Sequence, residues 1–215
     1  MQSTFTRLYA SGGWTLRQDD EVSRSGLGSN VEQTAALRAE LPQLLADLGI
    51  RSMLDVPCGD FFWMGRIDLG VDRYIGADIV TELIEENAVQ FGRADREFRV
   101  LDLSQDDLPR VDLVFSRDCL VHLSNDDAMR CLDNIKRSGS TYLAATTFTE
   151  RDHNDDIVTG RWRTLNLCVE PFSLPAPERL LNERCTEVYR FAEDGREREE
   201  RFTDKSIGVW RIADL

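Results

Sequence analysis

Three acidic residues follow short apolar runs of the chain, and their types and spacing suit a ligand that contains a ribose. Asp55 follows SML, Asp78 follows YIGA, and Asp102 follows FRVL. In a nucleotide-binding fold, an acid at the end of the second strand, about 20 residues after the first turn, accepts hydrogen bonds from both ribose hydroxyls. Asp55 can orient the turn or reach a ligand ammonium through water, and Asp102 can accept from an adenine amino group. Taken singly, Asp78 also suits a helix N-cap and Asp102 an ordinary turn.

The turn after Asp55 reads VPCGD and supplies the close backbone contact that such a ligand needs. We expect Gly59 to let the backbone approach the ligand, with Pro57 beside it. Ile79 and Leu103, which follow the other two acids, are expected to contact the same ligand. The motif GxGxxG is absent, which argues against a dinucleotide-binding dehydrogenase.

The segment SRDCLVHLS carries the candidate reacting groups. Asp118 and His122 are the best candidates for acid–base or metal chemistry, and the chain has only 2 histidines. The other, His153, is a further candidate base. Next to it, Asn154 and Asp155 offer oxygen ligands for Mg²⁺ alongside Asp118. Each candidate has an alternative role: His122 could be bonded to the backbone, Asp118 could pair with the neighbouring arginine, and the loop that contains His153 could be an ordinary solvated loop.

The segment GRWRTLN is a candidate for the acceptor side of the site. Trp162 can stack on the C–H face of a sugar ring, and Arg161 and Asn166 can bind hydroxyls. A buried tryptophan beside a surface arginine would give the same pattern.

The segment SRSGLGS near the N-terminus can close over a bound ligand. Arg24 and Ser25 would supply positive charge and backbone N–H groups to a cofactor carboxylate, and Trp14 would cover the site. The alternative is a flexible leader.

The elements that position these residues alternate along the chain and predict a parallel sheet. Strands are predicted at 52–56, 74–79, 97–101, 111–116 and 141–147, and right-handed crossovers would bring their ends to one edge. Helices are predicted from Ser29 or Asn30 to Gly49, at 81–91, and at 125–136 after a Ser124 cap, and the run 60–64 is expected to open another. A last strand over 206–212 is predicted to form a hairpin with 187–191.

Composition limits the class of protein. With 215 residues, 41% of them hydrophobic, the chain fits one domain: a lid over 1–30, a ligand-binding core over 31–147, and a substrate loop with a hairpin over 148–215. The net charge of -13 argues against a nucleic-acid or anionic-membrane partner. The 5 cysteines lack CxxC spacing and predict free thiols in a reducing compartment. The polar N-terminus lacks an apolar signal segment, so we expect a cytoplasmic protein.

With these motifs the chain resembles the class I S-adenosylmethionine-dependent methyltransferases. DVPCG, YIGAD, VLDL and DLVFSRD match that family in order and spacing over residues 31–147. The resemblance implies an α/β fold: a Rossmann-like, seven-stranded, mostly parallel sheet with helices on both faces and an antiparallel C-terminal strand. The family's first turn is usually glycine-rich, and here Pro57 and Cys58 depart from it. The implied cofactor is S-adenosylmethionine, and the implied cofactor-binding set is Trp14, Arg24, Ser25, Asp55, Pro57, Gly59, Asp78, Ile79, Asp102, Leu103 and Arg117.

RDCLVHLS, SRSGLGS and EPFSLP further resemble a bacterial branch of that family that modifies carbohydrates, and within it the enzymes that methylate the reducing-end 1-hydroxyl of methylmannose polysaccharides. This resemblance implies an oligomannoside acceptor in polysaccharide biosynthesis, dependence on Mg²⁺, and a homodimer. A hydroxyl of high pKa needs a base or a metal, so His122 or Asp118 is expected to take its proton.

Other functions stay open. The alternative acceptor is a non-sugar small metabolite, methylated on nitrogen or oxygen. A non-catalytic module that retains the cofactor pocket is another reading, and the presence of both Asp118 and His122 argues against it. Methylation of nucleic acid is disfavoured, because the chain has no basic patch and no NPPY-like motif after the fourth strand.

Overall fold

The structure is a computed structural model that describes residues 1–12, 23–193 and 196–215. Trp14, which was predicted to cover the cofactor, lies outside these residues. The described α-helices are α1 Gln2–Ala10, α2 Ala35–Asp47, α3 Thr81–Phe91 and α4 Asn125–Arg137. The strands are β1 Ser52–Asp55, β2 Arg73–Asp78, β3 Arg96–Val100, β4 Leu113–Ser116, β5 Tyr142–Phe148, β6 Arg179–Asn182, β7 Val188–Glu193, β8 Arg196–Arg201 and β9 Lys205–Arg211.

The central sheet has seven strands in the order β3-β2-β1-β4-β5-β9-β6. β1 pairs in parallel with β2 and β4, and the parallel pairing continues to β3 and β5. β9 runs antiparallel between β5 and β6. The predicted fold class is therefore confirmed, and the carboxyl ends of β1 to β5 lie along one edge, where such sheets bind ligands.

Helices cover both faces because successive residues of a strand point to opposite sides. Met53 of β1 is buried in the same cluster as Leu37 and Leu41 of α2. Its neighbour Leu54 is buried in the other cluster, together with Leu132 of α4. The sheet is thus packed on both sides, and the polar residues at its carboxyl edge are held by a rigid support.

The predicted late hairpin is wrong. β9 does not pair with residues 187–191; it lies between β5 and β6. β7 pairs instead with β8, and the two form a separate two-stranded sheet. β7 ends at Glu193 and β8 begins at Arg196, and so short a separation in the chain favours their pairing with each other.

Two predicted helix starts also differ from the structure. α2 begins at Ala35 rather than after Ser29 or Asn30, because the Asn30 side chain accepts a hydrogen bond from the Gln33 N–H at 2.9 Å and holds a turn there. No α-helix begins in the run 60–64, since Phe61 has a left-handed φ of 55° and only a short 3-10 turn, Met64–Arg66, follows.

The N-terminal residues form a helix, α1, that was not predicted as one. All 5 cysteines are free thiols, as predicted. No helix among the described residues has the length and apolar character needed to cross a membrane.

Candidate active site

A cavity opens at the carboxyl edge of the sheet, where β1, β2 and β4 end. Asp55, Asp78 and Asp118 line it from three successive strand ends. α1 lies over the opening and contributes Met1, Phe5 and Tyr9 to the lining. α1 also packs on the loop after β5, since a Cβ added at Gly160 would lie 2.7 Å from Cγ2 of Thr4. The fold therefore builds one covered pocket.

The turn after β1 is braced by the segment that precedes α2. The Asp60 carboxylate accepts hydrogen bonds from Ser23 Oγ at 2.9 Å, the Arg24 N–H at 2.6 Å and Ser25 Oγ at 3.2 Å. Gly59 has a φ of 55°, and a Cβ there would lie 2.3 Å from Ser25 Oγ, so both its conformation and its space require glycine. Ser25 and Gly59 line the cavity together, as their predicted role requires.

Asp78 ends β2 with its carboxylate at the cavity wall. It accepts from the Val80 N–H at 3.0 Å and from the Gly59 N–H at 3.3 Å. Burial raises the pKa of Asp78 to about 6, against the backbone hydrogen bonds, which lower it. The carboxylate therefore joins the ends of β1 and β2, at the position from which an acid binds ribose hydroxyls.

Asp55 is buried at the end of β1 and accepts a hydrogen bond from the Tyr74 hydroxyl. Burial raises the pKa of Asp55 to about 7, while the Tyr74 hydrogen bond lowers it. Asp78 adds to the increase and Arg117 opposes it. Two neighbouring carboxyls of the cavity thus titrate close to neutrality.

Asp102 takes the alternative role of a turn acid. Its Oδ1 accepts from Ser104 Oγ at 2.6 Å and from the Ser104 N–H at 3.0 Å, and its Oδ2 accepts from Gln105 Nε2 at 3.1 Å. Asp102 does not line the cavity, whereas Leu101 and Leu103 on either side of it do. Pro57, Ile79 and Arg117 also line the cavity, and their contact with a cofactor stays a prediction.

Arg24 points away from the predicted cofactor carboxylate. Its guanidinium pairs with Glu86 of α3 at 2.5 Å, and its Cζ lies 5.4 Å from the centre of the Tyr9 ring. Arg24 is not among the residues that line the cavity. Its backbone N–H, bonded to Asp60, is the part of the residue that holds the turn.

The Tyr9 hydroxyl is a polar group to which a bound ligand could hydrogen-bond. Its hydroxyl oxygen is buried and has no hydrogen-bond partner in the described parts of the chain, and its ring lines the cavity. A buried hydroxyl without a partner is costly unless a bound group completes it. Together with the Asp78 carboxylate, this hydroxyl fits a polar cofactor with a ribose and an amino-acid tail.

Arg117 and Asp118 follow β4 and are held in a buried group of charges. Arg117 donates to Glu183 Oε2 at 2.6 Å and to the Gly28 carbonyl at 2.8 Å. Asp118 Oδ2 lies 2.8 Å from Lys205 Nζ and 3.2 Å from Arg117 Nη1. Burial by itself raises the pKa of Asp118. Arg117 and Lys205 lower this pKa by more than burial raises it, so that it lies well below its ordinary value. Asp118 is a fixed anion and a poor base.

His122 faces the cavity from the 3-10 turn Leu120–His122. Its Nδ1 is 2.9 Å from the Arg161 carbonyl, which can only accept, so Nδ1 carries the hydrogen and the lone pair of the neutral ring is on Nε2. Burial lowers the pKa of His122, against the Arg161 hydrogen bond, which raises it. His122 is therefore neutral at physiological pH and suited to accept a proton.

The predicted metal ligands are not brought together. Asn154 donates to the carbonyls of Asn166 and Glu170, each at 2.9 Å, so its amide holds the loop after β5. His153 and Asp155 are exposed and do not line the cavity. No group of three His, Cys, Asp or Glu in residues 1–12, 23–193 and 196–215 is arranged to hold a metal ion. This donor set does not fit Mg²⁺.

The predicted acceptor residues do not line the cavity. Arg161 positions His122 through its backbone carbonyl. Trp162 packs edge-on against Phe148 and Phe202, with ring centres 6.2 and 5.1 Å apart. Asn166 is buried and donates to the Arg151 carbonyl at 2.7 Å. Of the three, Arg161 alone is seen to contact a lining residue, and none of their side chains lines the cavity.

The structure adds site residues that the sequence did not indicate. The spacing of Met1, Phe5 and Tyr9 along α1 is that of one helix face and was a usable signal for a covering helix. Glu183 and Lys205 had no such signal, because nothing in their local sequence says that they face the end of β4.

No family model and no curated protein matches this chain. Solved methyltransferase structures do match it over nearly its whole length. Magnesium protoporphyrin IX methyltransferase from Synechocystis PCC 6803, with bound S-adenosylmethionine, is 10% identical, with 98% of this chain and 96% of that chain covered and a TM-score of 0.56. The N-methyltransferase NodS from Bradyrhizobium japonicum WM9, with S-adenosylhomocysteine, is 13% identical, with coverages of 98% and 97% and a TM-score of 0.56.

A third similar structure is 1,6-didemethyltoxoflavin-N1-methyltransferase from Burkholderia thailandensis, with bound 1,6-didemethyltoxoflavin and S-adenosylhomocysteine. It is 19% identical, with 98% of this chain and 86% of that chain covered and a TM-score of 0.55. At these identities the likeness is one of fold. The chain has the Rossmann-like fold of the S-adenosylmethionine-dependent methyltransferases, with a covered cavity at the edge of the sheet.

Proposed function

We propose that the chain is an S-adenosylmethionine-dependent methyltransferase that acts on a hydroxyl or amine of a small molecule. The supporting observation is that Asp78, suited to ribose hydroxyls, and His122, a neutral base, line the same covered cavity. The similar structures with bound S-adenosylmethionine or S-adenosylhomocysteine agree with this cofactor.

When bound, S-adenosylmethionine supplies an electrophilic methyl group. Asp78 would hold the ribose hydroxyls, and the turn at Gly59 would admit the rest of the cofactor close to the backbone. His122 accepts the acceptor's proton at Nε2, since its Nδ1 hydrogen is held by the Arg161 carbonyl. Met1 and Phe5 exclude water from the reacting groups.

A small acceptor is favoured by the cover over the cavity. α1 places three of its side chains in the lining, which limits the room for a long polymer. Trp162 and Arg161, the residues expected to bind a sugar, lie outside the lining. The oligomannoside acceptor, the Mg²⁺ requirement and the homodimer therefore stay predictions from the resemblance, without support from the described residues.

Cofactor binding is the first test, because it does not need the acceptor. Isothermal titration calorimetry with S-adenosylhomocysteine should detect one site, and Asp78→Asn should weaken binding about 10- to 100-fold, as expected for losing charged hydrogen bonds to two hydroxyls. Glu85→Gln is the matched control, because Glu85 is an exposed acid on α3, the helix that follows Asp78. This variant should bind S-adenosylhomocysteine as wild type does.

Transfer of a labelled methyl group across a panel of small phenols, alcohols and amines tests the reaction. His122→Ala should abolish turnover with cofactor affinity retained, whereas His153→Ala, at the exposed histidine, should not change it. Failure of the wild type to bind S-adenosylhomocysteine would reject the proposed function, whereas full turnover by His122→Ala would reject the assignment of His122 as the base.

A further inference from the structure

Lys205 begins β9, yet its ammonium reaches the end of β4. Its Nζ lies 2.8 Å from Asp118 Oδ2 and 3.7 Å from Glu183 Oε2. Its side chain is 7% exposed, so these contacts are shielded from water. The backbone of Lys205 is fixed by pairing with Phe148 of β5, which sets the direction from which the ammonium approaches.

Arg117 closes the arrangement into a ring of four charges. Its Nη2 lies 2.6 Å from Glu183 Oε2, and its Nη1 lies 3.2 Å from Asp118 Oδ2. Cations and carboxylates alternate, so each member touches two of opposite sign. In a buried ring of this kind, removing one member leaves its partners with uncompensated charge.

Only one half of the ring faces the cavity. Arg117 and Asp118 line it, whereas Lys205 and Glu183 lie behind them. Lys205 therefore reaches the site through the Asp118 carboxylate. Asp118 is also held from its backbone, since its N–H donates to Thr146 Oγ1 at 2.8 Å and its φ is 53°.

We infer that Lys205 is a positioning residue of the candidate active site, which holds the Asp118 carboxylate against Arg117 and so leaves His122 as the proton acceptor of the cavity. The part of this inference that assigns His122 the acceptor's proton rests on the proposed function. A carboxylate that two buried cations hold in place does not take a proton near neutral pH. Without Lys205, one of the two cations is gone, and the ring next to His122 is left with one uncompensated negative charge.

Several charged and polar groups among the described residues act on His122. Asp118 favours its protonated form, whereas Lys205 and Arg163 disfavour it, and the Arg161 carbonyl accepts its Nδ1 hydrogen. Removing the Lys205 charge should therefore raise the pKa of His122. Removing the Asp118 charge should lower it. A role of Lys205 limited to fold stability would leave the pKa of His122 unchanged when the Lys205 charge is removed.

Proton titration of the imidazole signals by nuclear magnetic resonance measures this directly, because the chain has only 2 histidines. Lys205→Met should shift the His122 titration to higher pH, and Asp118→Asn should shift it to lower pH. Lys205→Arg, which keeps the cation, should restore the wild-type curve. The exposed His153 is an internal control and should titrate alike in all variants.

The inference is overturned if Lys205→Met leaves His122 unchanged, or shifts it in the same direction as Asp118→Asn. If Lys205→Met alone does not fold, the double variant with Asp118→Asn removes one charge of each sign. Its His122 should then titrate at higher pH than in Asp118→Asn alone, and no difference would overturn the inference. These titrations need no cofactor, so a failure to bind S-adenosylhomocysteine rejects the proposed function separately.

Discussion

The Tyr74 hydroxyl of β2 donates a hydrogen bond to Oδ2 of Asp55 at the end of β1, and both side chains are buried. The bond lowers the pKa of Asp55, yet burial outweighs it, and the pKa rises to about 7. An acid that would be ionised in water is thus half-protonated near neutral pH at the wall of the cavity.

This raised pKa makes a prediction about stability. The pKa of Asp55 rises from 3.8 to about 7 on folding, so between these values the folded state binds more protons than the unfolded state. The contribution of Asp55 to stability is therefore full below about pH 4 and is lost as the pH rises through about 7. The unfolding free energy of wild type minus that of Asp55→Asn should fall over this range.

Urea denaturation of both proteins at a series of pH values measures that difference. Glu85→Gln, at an exposed position, is the control and should run parallel to wild type. A difference between wild type and Asp55→Asn that does not change with pH would contradict the assignment.

The buried Tyr9 hydroxyl makes a prediction that separates binding from folding. Since the hydroxyl has no partner in the described residues, Tyr9→Phe should leave the free energy of unfolding unchanged or slightly higher. Affinity for S-adenosylhomocysteine should fall about fivefold, the effect of losing one hydrogen bond. Calorimetry and thermal denaturation of the same sample measure both quantities.

Tyr189→Phe is the control for this change, because Tyr189 is 57% exposed on the hairpin of β7 and β8. Equal affinity in Tyr9→Phe and wild type would show that the ligand does not reach the Tyr9 hydroxyl.

The Asp60 side chain should hold residues 23–25 in place against the turn after β1. Its carboxylate accepts from Ser23, Arg24 and Ser25, and an amide at this position cannot accept all of these bonds. Asp60→Asn should therefore open the segment and speed tryptic cleavage after Arg24 about tenfold. Mass spectrometry of the early digestion products identifies that cut.

Asp68→Asn, at an exposed turn acid, should be digested at the wild-type rate. Cleavage after Arg24 that is equally slow in Asp60→Asn and in wild type would mean that other contacts hold the segment.

Asn154 is expected to act on stability and not on metal binding. Its amide donates to the carbonyls of Asn166 and Glu170 and accepts from the Asn166 N–H at 2.8 Å. Asn154→Ala should lower the free energy of unfolding by about 1–3 kcal/mol, because buried backbone groups lose their partners. Added MgCl2 should leave the melting temperature of both proteins unchanged, and a magnesium-dependent increase in wild type alone would revive the predicted metal site.

Several features of the site follow from local sequence patterns. Apolar runs that alternate with helices predict a parallel sheet, and a parallel sheet gathers the acids at its strand ends on one edge. Asp55 and Asp78 were found in this way, and both line the cavity. The same rule placed Asp118 and His122 at the end of β4. Asp102 also follows a predicted strand in the sequence, but Ser104 and Gln105 donate hydrogen bonds that hold its carboxylate in a turn.

The sequence by itself therefore determined that β1 to β5 form a parallel sheet, and it placed most of the cavity acids at the ends of these strands, because these features depend on periodicity and on residues that are neighbours in the chain. Only the tertiary structure decided which distant segments meet there. β9 inserts between β5 and β6 and brings Lys205 to Asp118, and α1 brings Tyr9 over Asp78. Such contacts join residues far apart in the chain, and they depend on packing and buried charge, for which a single sequence carries no local signal.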